Sequence, residues 1–345
     1  MNIKIKTIKD RFVWDNFIKE VKPNTFLHSW EWGQFNEEMK GKIYRLGAFD
    51  NEELISVALI IKTDARRGSF IFCPHGPIIK ISKVENLIDE VLSKLTDKLK
   101  EIANNEGCSF IRISSLLTDT PNNRKIFKNL GFINAPIHMH PEKAWVIDIN
   151  KSEEAILKDM RKTTRQLIKK AEQEGVQIEI LMSEKNAVQR FEKIYETTSE
   201  RQGFTPFSDK YIENEFKVFS QNNKSEILIA KYKNQDLSGA FIIFDENGAY
   251  YHHGASNQNF PKIPASHLLQ WKIIQEARRR NCKKYNLWGI APNNKNNHPW
   301  KGLTLFKTGF GGYSEDYVPA QDLPINSKYW LNYFVESLRR IKRGL

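Results

Sequence analysis

A line of cationic side chains in the middle of the chain could bind a phosphate backbone. Between residues 153 and 174 the sequence predicts one amphipathic helix, with Ser152 as its N-cap and apolar residues at helical spacing along one side. The opposite side carries cations three or four positions apart, namely Lys158, Arg161, Lys162, Arg165 and Lys169. We expect this basic face to contact the phosphates of a nucleic acid, with a solvated helix face as the alternative.

Two groups of histidines invite a metal-binding interpretation, and the sequence argues against both. They are His138-Met139-His140 and His252-His253. Neither group has a carboxylate or a cysteine at a supporting spacing, and successive residues of a strand point to opposite faces of a sheet. We therefore expect no metal site, and no cofactor either.

The elements that must position such residues occur twice along the chain. The first copy has a helix near residues 87–95, Cys108, an apolar strand at 110–113 and the run Phe127-Lys128-Asn129-Leu130-Gly131-Phe132. The second copy has a helix near 268–274, Cys282, a strand at 285–288 and the run Phe306-Lys307-Thr308-Gly309-Phe310. A repeat of this length is a whole domain, so the pattern predicts a duplicated α/β unit.

Composition is compatible with two soluble domains of ordinary size. A chain of 345 residues with 40% hydrophobic content can build two cores. The longest apolar run, at residues 56–61, is too short to span a membrane, and the N-terminus lacks the apolar stretch of a secretory signal. We expect a cytoplasmic protein. Its three cysteines, Cys73, Cys108 and Cys282, indicate reduced thiols rather than a disulfide framework.

The net charge predicts an anionic partner. The 53 Lys and Arg residues outnumber the 41 Asp and Glu residues, which gives a formal charge of +12. Such a surface suits nucleic acid, a phosphorylated metabolite or an anionic membrane. Two further cationic clusters, Arg278-Arg279-Arg280 and Arg339-Arg340-Ile341-Lys342-Arg343, are more typical of solubility features.

Strand and helix signals divide the chain into two similar halves. Each half has the order strand, strand, strand, helix, strand, which is typical of the antiparallel-leaning sheet of the acetyltransferase superfamily. The predicted fold class is α/β, with two tandem acetyltransferase-like (GNAT-type) domains, each a mixed, largely antiparallel sheet with flanking helices. We place the first domain at residues 1–150 and the second at 151–317. The C-terminal segment, 318–345, is expected to pack back on the first domain.

Short motifs also follow one another along nearly the whole chain. They are His28-Ser29-Trp30-Glu31-Trp32-Gly33, Pro74-His75-Gly76-Pro77, Met160-Arg161-Lys162-Thr163-Thr164-Arg165, Glu200-Arg201-Gln202-Gly203-Phe204, Leu287-Trp288-Gly289-Ile290 and Leu305-Phe306-Lys307-Thr308-Gly309-Phe310-Gly311-Gly312. Together they resemble the FemABX family of non-ribosomal aminoacyltransferases, which build peptidoglycan side bridges. The resemblance implies two acetyltransferase-like domains. The interval 183–224 is too short for the coiled-coil arm of some members, so the chain resembles their compact form.

The resemblance implies transfer of an amino acid from aminoacyl-tRNA to an amine of a peptidoglycan precursor. Because the donor ester is already activated, such an enzyme mainly aligns two anionic substrates and stabilises an oxyanion. The family has a lysine by the reaction centre in its Phe-Lys element, and Lys307 matches that position, while Phe306 would shape the pocket. The basic face would bind tRNA. We expect a monomer that contacts the membrane surface peripherally if its acceptor is lipid-linked.

The acceptor side matches the family less well. The resemblance assigns substrate binding to Trp32, Asn36, Tyr211, Tyr251 and His253. Asn36 and Phe207 stand where compact members have a lysine and an arginine that bind phosphates, and His253 replaces a tyrosine. The acceptor is therefore open between a lipid-linked and a nucleotide-linked precursor.

Two other functions stay open at this point. An acetyl-CoA-dependent N-acetyltransferase would share the fold, but that class binds the cofactor pyrophosphate on a Gly-rich turn at a helix start. The corresponding turn here, residues 259–266, has two prolines and no glycine. A non-catalytic, basic nucleic-acid-binding protein is favoured by the charge alone.

Overall fold

The computed structural model describes residues 2–80, 86–182, 185–246, 248–292 and 298–344. The chain divides into two structural units. Unit 1 comprises Met1–Lys143, Ala291–Pro299 and Glu315–Leu345, and unit 2 comprises Ala144–Ile290 and Trp300–Ser314. The last thirty or so residues therefore belong to the same unit as the N-terminal half of the chain.

Both units contain strands and helices. The strands are β1 (Ile3–Thr7), β2 (Lys42–Asp50), β3 (Glu53–Ala65), β4 (Gly68–Cys73), β5 (Ile78–Ile79), β6 (Phe110–Ile113), β7 (Ile133–Asn134), β8 (Lys143–Asp148), β9 (Gln177–Leu181), β10 (Ser225–Tyr232), β11 (Gln235–Phe244), β12 (Gly248–Ser256), β13 (Lys284–Gly289), β14 (Tyr313–Asp316) and β15 (Gln321–Pro324). The helices are α1 (Arg11–Glu20), α2 (Trp30–Glu38), α3 (Leu87–Asn105), α4 (Pro121–Asn129), α5 (Glu153–Asp159), α6 (Lys162–Gln173), α7 (Lys185–Gln202), α8 (Asp209–Ser220), α9 (Ala265–Arg279), α10 (Lys301–Thr308) and α11 (Lys328–Arg343).

Unit 1 is built on a mixed sheet with the strand order β1-β2-β3-β4-β6-β15-β7, and β5 pairs with β3. Strands β4 and β6 are parallel, with Ile71 opposite Ile111, and α3 makes the crossover between them. The apolar side of α3 packs on the core of this sheet through residues such as Val91 and Leu99. Strand β15 pairs antiparallel with β6, so the C-terminal segment completes the sheet.

Unit 2 repeats this arrangement with the strand order β14-β8-β13-β12-β11-β10-β9. Strands β12 and β13 are parallel and are joined by α9, whereas β9, β10, β11 and β12 pair antiparallel in turn. The series β10-β11-β12-α9-β13 therefore matches β2-β3-β4-α3-β6. Helix α9 packs on the sheet face that carries Leu228, Ala240 and Ile242. The opposite face carries Phe241, which contacts Phe216 of α8.

The repeated cysteine marks the same turn in both units. Helices α3 and α9 are each followed by a residue in the left-handed region, Gly107 with φ 65° and Asn281 with φ 62°. The next residue then bonds back to its helix, since the amide of Cys108 donates to Ala103 O at 2.8 Å and that of Cys282 donates to Ala277 O at 2.9 Å. This is a standard way to satisfy the last carbonyls of a helix. In both units the chain then continues into a strand, β6 after α3 and β13 after α9.

The single helix predicted at residues 153–174 is two helices, so that prediction is wrong. Helix α5 ends at Asp159 and Met160 is extended, with ψ 151°. The side chain of Arg165 donates to the carbonyls of Leu157 and Met160 at the C-terminal end of α5. The amide of Arg161 donates to Gly309 O at 2.9 Å instead of to a carbonyl of α5. These two interactions explain the break.

A buried ionic network holds the C-terminal segment in unit 1. Arg112 of β6 is 2% exposed and donates two hydrogen bonds to the carboxylate of Asp322 in β15, at 2.7 and 2.8 Å. It also donates to Glu336 of α11 at 2.7 Å, and the hydroxyl of Tyr329 donates to Asp322. Planar, bidentate pairing of this kind is strong and directional, so one arginine fixes both β15 and α11.

Candidate active site

Lys307 lies in the last turn of α10 and is buried, with 4% of its surface exposed. Its Nζ donates to the carbonyl oxygen of Gly289, the last residue of β13, at 2.7 Å. The Nζ also lies 6.0 Å from the ring centroid of Tyr251. Burial lowers the pKa of Lys307 to about 7. Near neutral pH its amine is therefore present in both protonation states, which suits a group that gives and takes a proton.

Phe306 forms an apolar surface next to this lysine in α10. Its partly buried ring contacts Phe310 and His267 edge-on, with ring centroids 5.2 and 5.1 Å apart. His267 lies in the first turn of α9, and burial lowers its pKa to about 4. The imidazole is therefore neutral at neutral pH, and the ring cluster of Phe306, Phe310 and His267 is uncharged.

Tyr251 belongs to the same neighbourhood because Gly254 leaves room for it. A Cβ at Gly254 would lie 1.8 Å from the hydroxyl oxygen of Tyr251, so the tyrosine lies directly over the glycine. Burial raises the pKa of Tyr251 to about 12. The hydroxyl of Tyr285 donates to Gln270 Oε1, at 2.6 Å. Tyr251 is thus a neutral phenol packed against the core that α9 helps to form.

His252 and His253 converge on one carboxylate. The Nε2 atom of each ring lies 2.8 Å from a different oxygen of Glu215, which is fully buried in α8. The expectation that the two rings point to opposite faces is wrong, because β12 contains a β-bulge. Its register against β11 shifts between the pairs Phe241↔His253 and Ile242↔Tyr251, so His252 is the extra residue.

The electrostatics of this trio favour an ionised carboxylate and N–H donors. Burial by itself would raise the pKa of Glu215, but the charge interactions and hydrogen bonds of the two histidines lower it to about 2. Burial lowers the pKa of His253. The hydrogen bonds that the buried carboxylate accepts from the two rings offset the cost of its desolvation. They also set the tautomers of both histidines, because each Nε2 must carry a proton.

Among the residues that the structure describes, the same three have the geometry for a metal ion. One ligand atom from each of Glu215, His252 and His253 lies within 4.8 Å of the others, and His and Glu are ligands that zinc accepts. A metal bound at both Nε2 atoms and at the carboxylate would have to replace both hydrogen bonds. The expectation of no metal therefore stays a prediction, and the carboxylate beside the two histidines comes from 37 and 38 positions away in the sequence.

Tyr211 and His253, both predicted to bind the acceptor, come together around Phe207. The ring of Phe207 stacks on Tyr211, with centroids 4.4 Å apart and planes 15° apart, and meets His253 edge-on at 5.4 Å. Phe207 is 48% exposed. The position where the resemblance led us to look for an arginine is therefore part of an aromatic surface. Tyr251 is not in this group, because the bulge places it on the α9 face of β12.

Trp32 and Asn36 lie together in α2, which belongs to unit 1, whereas the other predicted site residues belong to unit 2. Trp32 is 4% exposed and packs against Phe26 and Phe35, with ring centroids 5.6 and 5.2 Å apart. The side-chain amide of Asn36 donates to the carbonyl of Trp32 at 2.7 Å. Trp32 is thus packed among aromatic rings, and the Asn36 side chain bonds back to its own helix.

The basic face of α5 and α6 adjoins the helix that carries Lys307. Arg161 donates to Thr308 Oγ1 at 2.7 Å and to Leu305 O at 3.2 Å, both in α10. The two arginines of the basic face therefore connect structural elements: Arg161 bonds to α10, and Arg165 of α6 bonds to the end of α5. Its lysines are exposed to solvent, namely Lys158, Lys162 and Lys169. Cations at this place would lie close to anything that approaches Lys307 along α10.

The model of the FemAB family matches residues 10–236 and 221–337, which is most of the chain. The chain belongs to the FemAB family. The resemblance to FemABX proteins inferred from the motifs is thereby confirmed.

Individual relatives agree with this membership at low sequence identity. An enzyme named lipid II:glycine glycyltransferase, from Staphylococcus aureus strain MRSA252, is 20% identical over 389 aligned positions, which cover 90% of this chain and 91% of the relative. A crystal structure of FemX has a TM-score of 0.81 at 18% identity and covers 96% of this chain and all of its own. A tandem GNAT protein from clavulanic acid biosynthesis has a TM-score of 0.60 at 8% identity, covering 94% of this chain and 99% of its own. The predicted fold class is confirmed.

Two buried polar residues of this FemAB-family protein were missed by sequence reasoning. Glu215 is 37 and 38 positions from its histidines, and Gln270 is 15 positions from Tyr285. Each stands on the apolar side of an amphipathic helix, Glu215 between Ile212 and Phe219. A lone charged residue on a buried helix side needs a partner, and that was the available signal.

Proposed function

We propose that this FemAB-family protein transfers an amino acid from an aminoacyl-tRNA to an amine of a peptidoglycan precursor. The observation that carries the proposal is the buried Lys307, held at Gly289 O beside the basic face of α5 and α6. The similarity to a protein named lipid II:glycine glycyltransferase over 90% of the chain supports the same acyl-transfer chemistry.

The donor end of the tRNA would lie along the basic face, with phosphates contacted by Lys158, Lys162 and Lys169. The acceptor amine attacks the ester carbonyl carbon, and the carbonyl oxygen becomes an oxyanion. The ammonium of Lys307 donates a hydrogen bond to that oxyanion, in a site whose low polarity strengthens the interaction. The carbon–nitrogen bond forms and the bond to the ribose oxygen breaks.

The lowered pKa of Lys307 matches the proton balance of this step. Protonated Lys307 gives its proton to the departing ribose oxygen, and the proton lost by the attacking amine restores the ammonium. A group whose pKa lies near the working pH performs both transfers without a large barrier. Phe306 and Phe310 keep water away from the lysine side of the reaction.

For the acceptor we propose a lipid-linked precursor rather than a nucleotide-linked one. The aromatic group of Phe207, Tyr211 and His253 suits the uncharged parts of an acceptor. Asn36 and Phe207 supply no cation for a diphosphate, and each missing charge-assisted hydrogen bond forfeits roughly 1.5–3 kcal/mol. A precursor presented at an anionic membrane escapes part of that loss, because the basic protein is concentrated there.

The direct test is a transfer assay with a mixed pool of charged tRNAs and both forms of precursor, read as mass shifts of the precursors. We expect an aminoacyl-sized shift, larger on the lipid-linked form in anionic vesicles. A shift of one acetyl group with acetyl-CoA would instead identify an N-acetyltransferase. Binding of tRNA without transfer would leave the nucleic-acid-binding alternative.

Lys307→Met should lower transfer by about a hundredfold or more, the usual effect of removing one oxyanion donor. Lys301→Met is the matched control, because Lys301 is exposed on the same helix. A folded Lys307→Met protein that works at the wild-type rate contradicts the role given to Lys307.

The donor side has its own test. Replacing Lys158, Lys162 and Lys169 by Gln should flatten the salt dependence of tRNA binding by about 0.7–0.9 in log-log slope per lost contact. The control replaces Lys94 and Lys100, which are exposed on α3, in the same way. An unchanged slope in the triple variant would show that this is a solvated helix face.

A further inference from the structure

Helix α11 has an apolar face that is open to solvent. Its large apolar side chains are exposed by half or more, namely Trp330 (55%), Leu331 (62%), Phe334 (61%), Leu338 (51%) and Ile341 (76%). With 3.6 residues per turn, these five positions fall within an arc of about 100° on the helix surface. They form one continuous stripe, which we call the α11 stripe.

The orientation of α11 is fixed by its other side. Tyr329 and Asn332 are buried, and Glu336 accepts a hydrogen bond from Arg112. Tyr329 also packs against Phe110, with ring centroids 5.2 Å apart. Because polar and ionic contacts hold that side inward, the helix cannot turn to bury the α11 stripe in unit 1. The contacts on the opposite side of α11 therefore keep the α11 stripe exposed to solvent.

The charges of α11 have one sign at the surface. The helix carries five cations, Lys328, Arg339, Arg340, Lys342 and Arg343. Its one acidic residue, Glu336, is turned inward, where it accepts from Arg112 at 2.7 Å and from the amide of Asn332 at 3.1 Å. An apolar stripe bordered by cations, with an aromatic residue at its start, is the pattern of a helix that lies in a membrane interface.

We propose that α11 docks this protein on an anionic phospholipid bilayer, with the α11 stripe among the acyl chains near the headgroups. The cations beside it would pair with lipid phosphates. No helix in the described part of the chain is long and apolar enough to cross a membrane, so α11 would lie in the plane of the surface. Sixteen residues of helix give it a length of about 24 Å there.

A bilayer fits the α11 stripe better than a second copy of the chain. A two-fold contact places the same surface on both partners, so two α11 helices of the same net positive charge would face each other. Like charges at close range repel, whereas anionic lipid neutralises them. The inference does not depend on the proposed transfer activity, because it concerns only binding to lipid.

The test is co-sedimentation of the full chain with vesicles, without tRNA or peptidoglycan precursor. We expect weak binding to phosphatidylcholine and binding at least about tenfold tighter when half of the lipid is phosphatidylglycerol. Phe334→Ser with Leu338→Ser should weaken the tighter binding by about tenfold or more. Phe12→Ser with Val13→Ser is the control, since these apolar residues are exposed on α1, 72% and 39% respectively.

The charges are tested separately. Arg339→Gln with Lys342→Gln should weaken binding by roughly fivefold per cation, and high salt should have the same effect. Lys94→Gln with Lys100→Gln on α3 should change it little. All of these positions are exposed, so circular dichroism should show folded variants.

Three results would overturn the proposal. One is equal binding to neutral and anionic vesicles, and another is unchanged binding by the Phe334/Leu338 variant. The third is a lipid-free dimer that the same variant dissociates, because the α11 stripe would then be a contact between copies. Quenching of Trp330 fluorescence by brominated acyl chains, absent in Trp330→Phe, would support insertion of the stripe itself.

Discussion

At the level of single residues, burial decides the chemistry of Lys307. Its pKa is about 7 in the folded protein against an ordinary value of 10.5. Between these values the unfolded chain holds a proton that the folded protein has released, so stability rises with pH across this window. Below pH 7 both states are protonated, and the folded protein bears the full cost of a buried ammonium.

Lys307→Met should therefore stabilise the fold while it lowers the proposed activity. Below pH 7 we expect the free energy of unfolding to rise by about 2–4 kcal/mol, since the lost hydrogen bond to Gly289 offsets part of the gain. The gain should shrink as the pH approaches 10.5. Urea unfolding at several pH values measures it, with Lys301→Met as reference. A gain independent of pH would contradict the burial of a charged lysine.

Glu215 is the residue on which the two histidines depend. In Glu215→Gln the side chain can accept from one ring but donates to the other, so one histidine must change its tautomer. We expect a loss of about 2–4 kcal/mol in the free energy of unfolding, because buried N–H groups lose an ionised acceptor. Nitrogen NMR of the histidine rings would report the change of tautomer.

Glu213→Gln is the control, because Glu213 is exposed on the same helix. Unchanged histidine spectra in Glu215→Gln would contradict the hydrogen bonds described here.

The contribution of Glu215 to stability also depends on pH, in a defined direction. The pKa of Glu215 is lowered from 4.5 to about 2, so its contribution to stability is present above 4.5 and is lost as the pH falls towards 2.

At the level of elements, the β-bulge of β12 sorts its side chains. Tyr251 and Gly254 lie on one face with α9, and His252 and His253 reach α8 on the other. A regular strand would have placed Tyr251 and His253 on the same face. The bulge thus separates the tyrosine beside Lys307 from the histidines beside Tyr211.

Gly254→Ala tests this arrangement. The added Cβ has no room beside the Tyr251 hydroxyl, so the ring must move to another position. We expect a loss of about 1–3 kcal/mol in stability, the usual cost of overpacking. Gly302→Ala is the matched control, because a Cβ there meets nothing within 4 Å and α10 should gain about 0.5–1 kcal/mol. Equal thermal melting of the two variants would contradict the packing of Tyr251 on Gly254.

At the level of the whole molecule, buried neutral histidines make the fold sensitive to acid. His28 and His75 are fully buried in unit 1, and burial lowers the pKa of each to about 3. Below their ordinary value of 6.5 the unfolded chain takes up protons that the folded protein refuses. Stability therefore falls as the pH drops from 6.5 towards 3.

Two such histidines should make the free energy of unfolding fall by up to about 2.7 kcal/mol per pH unit within this window. Chemical unfolding followed at descending pH would show the slope. His75→Gln should reduce it by about half, provided that the variant keeps a hydrogen bond with Thr25. A stability that stays level from pH 6.5 to about 4 would contradict the burial of neutral rings.

Much of the protein follows from its sequence alone. The repeat of helix, cysteine and strand predicted two like α/β units, because helix periodicity and turn chemistry depend on residues close together in the chain. The left-handed positions at Gly107 and Asn281 that end α3 and α9 are local in the same sense. The ordered motifs identified the family, which most of the chain matches.

Tertiary structure decided the rest, because these features depend on residues far apart in the chain. Glu215 meets its histidines only when α8 packs on a bulged β12, and the break at Met160 needs Gly309 as a partner for Arg161. Burial, which no local pattern reports, makes Lys307 a titrating group. The α11 stripe is exposed because Arg112, distant in sequence, holds the other side of that helix inward.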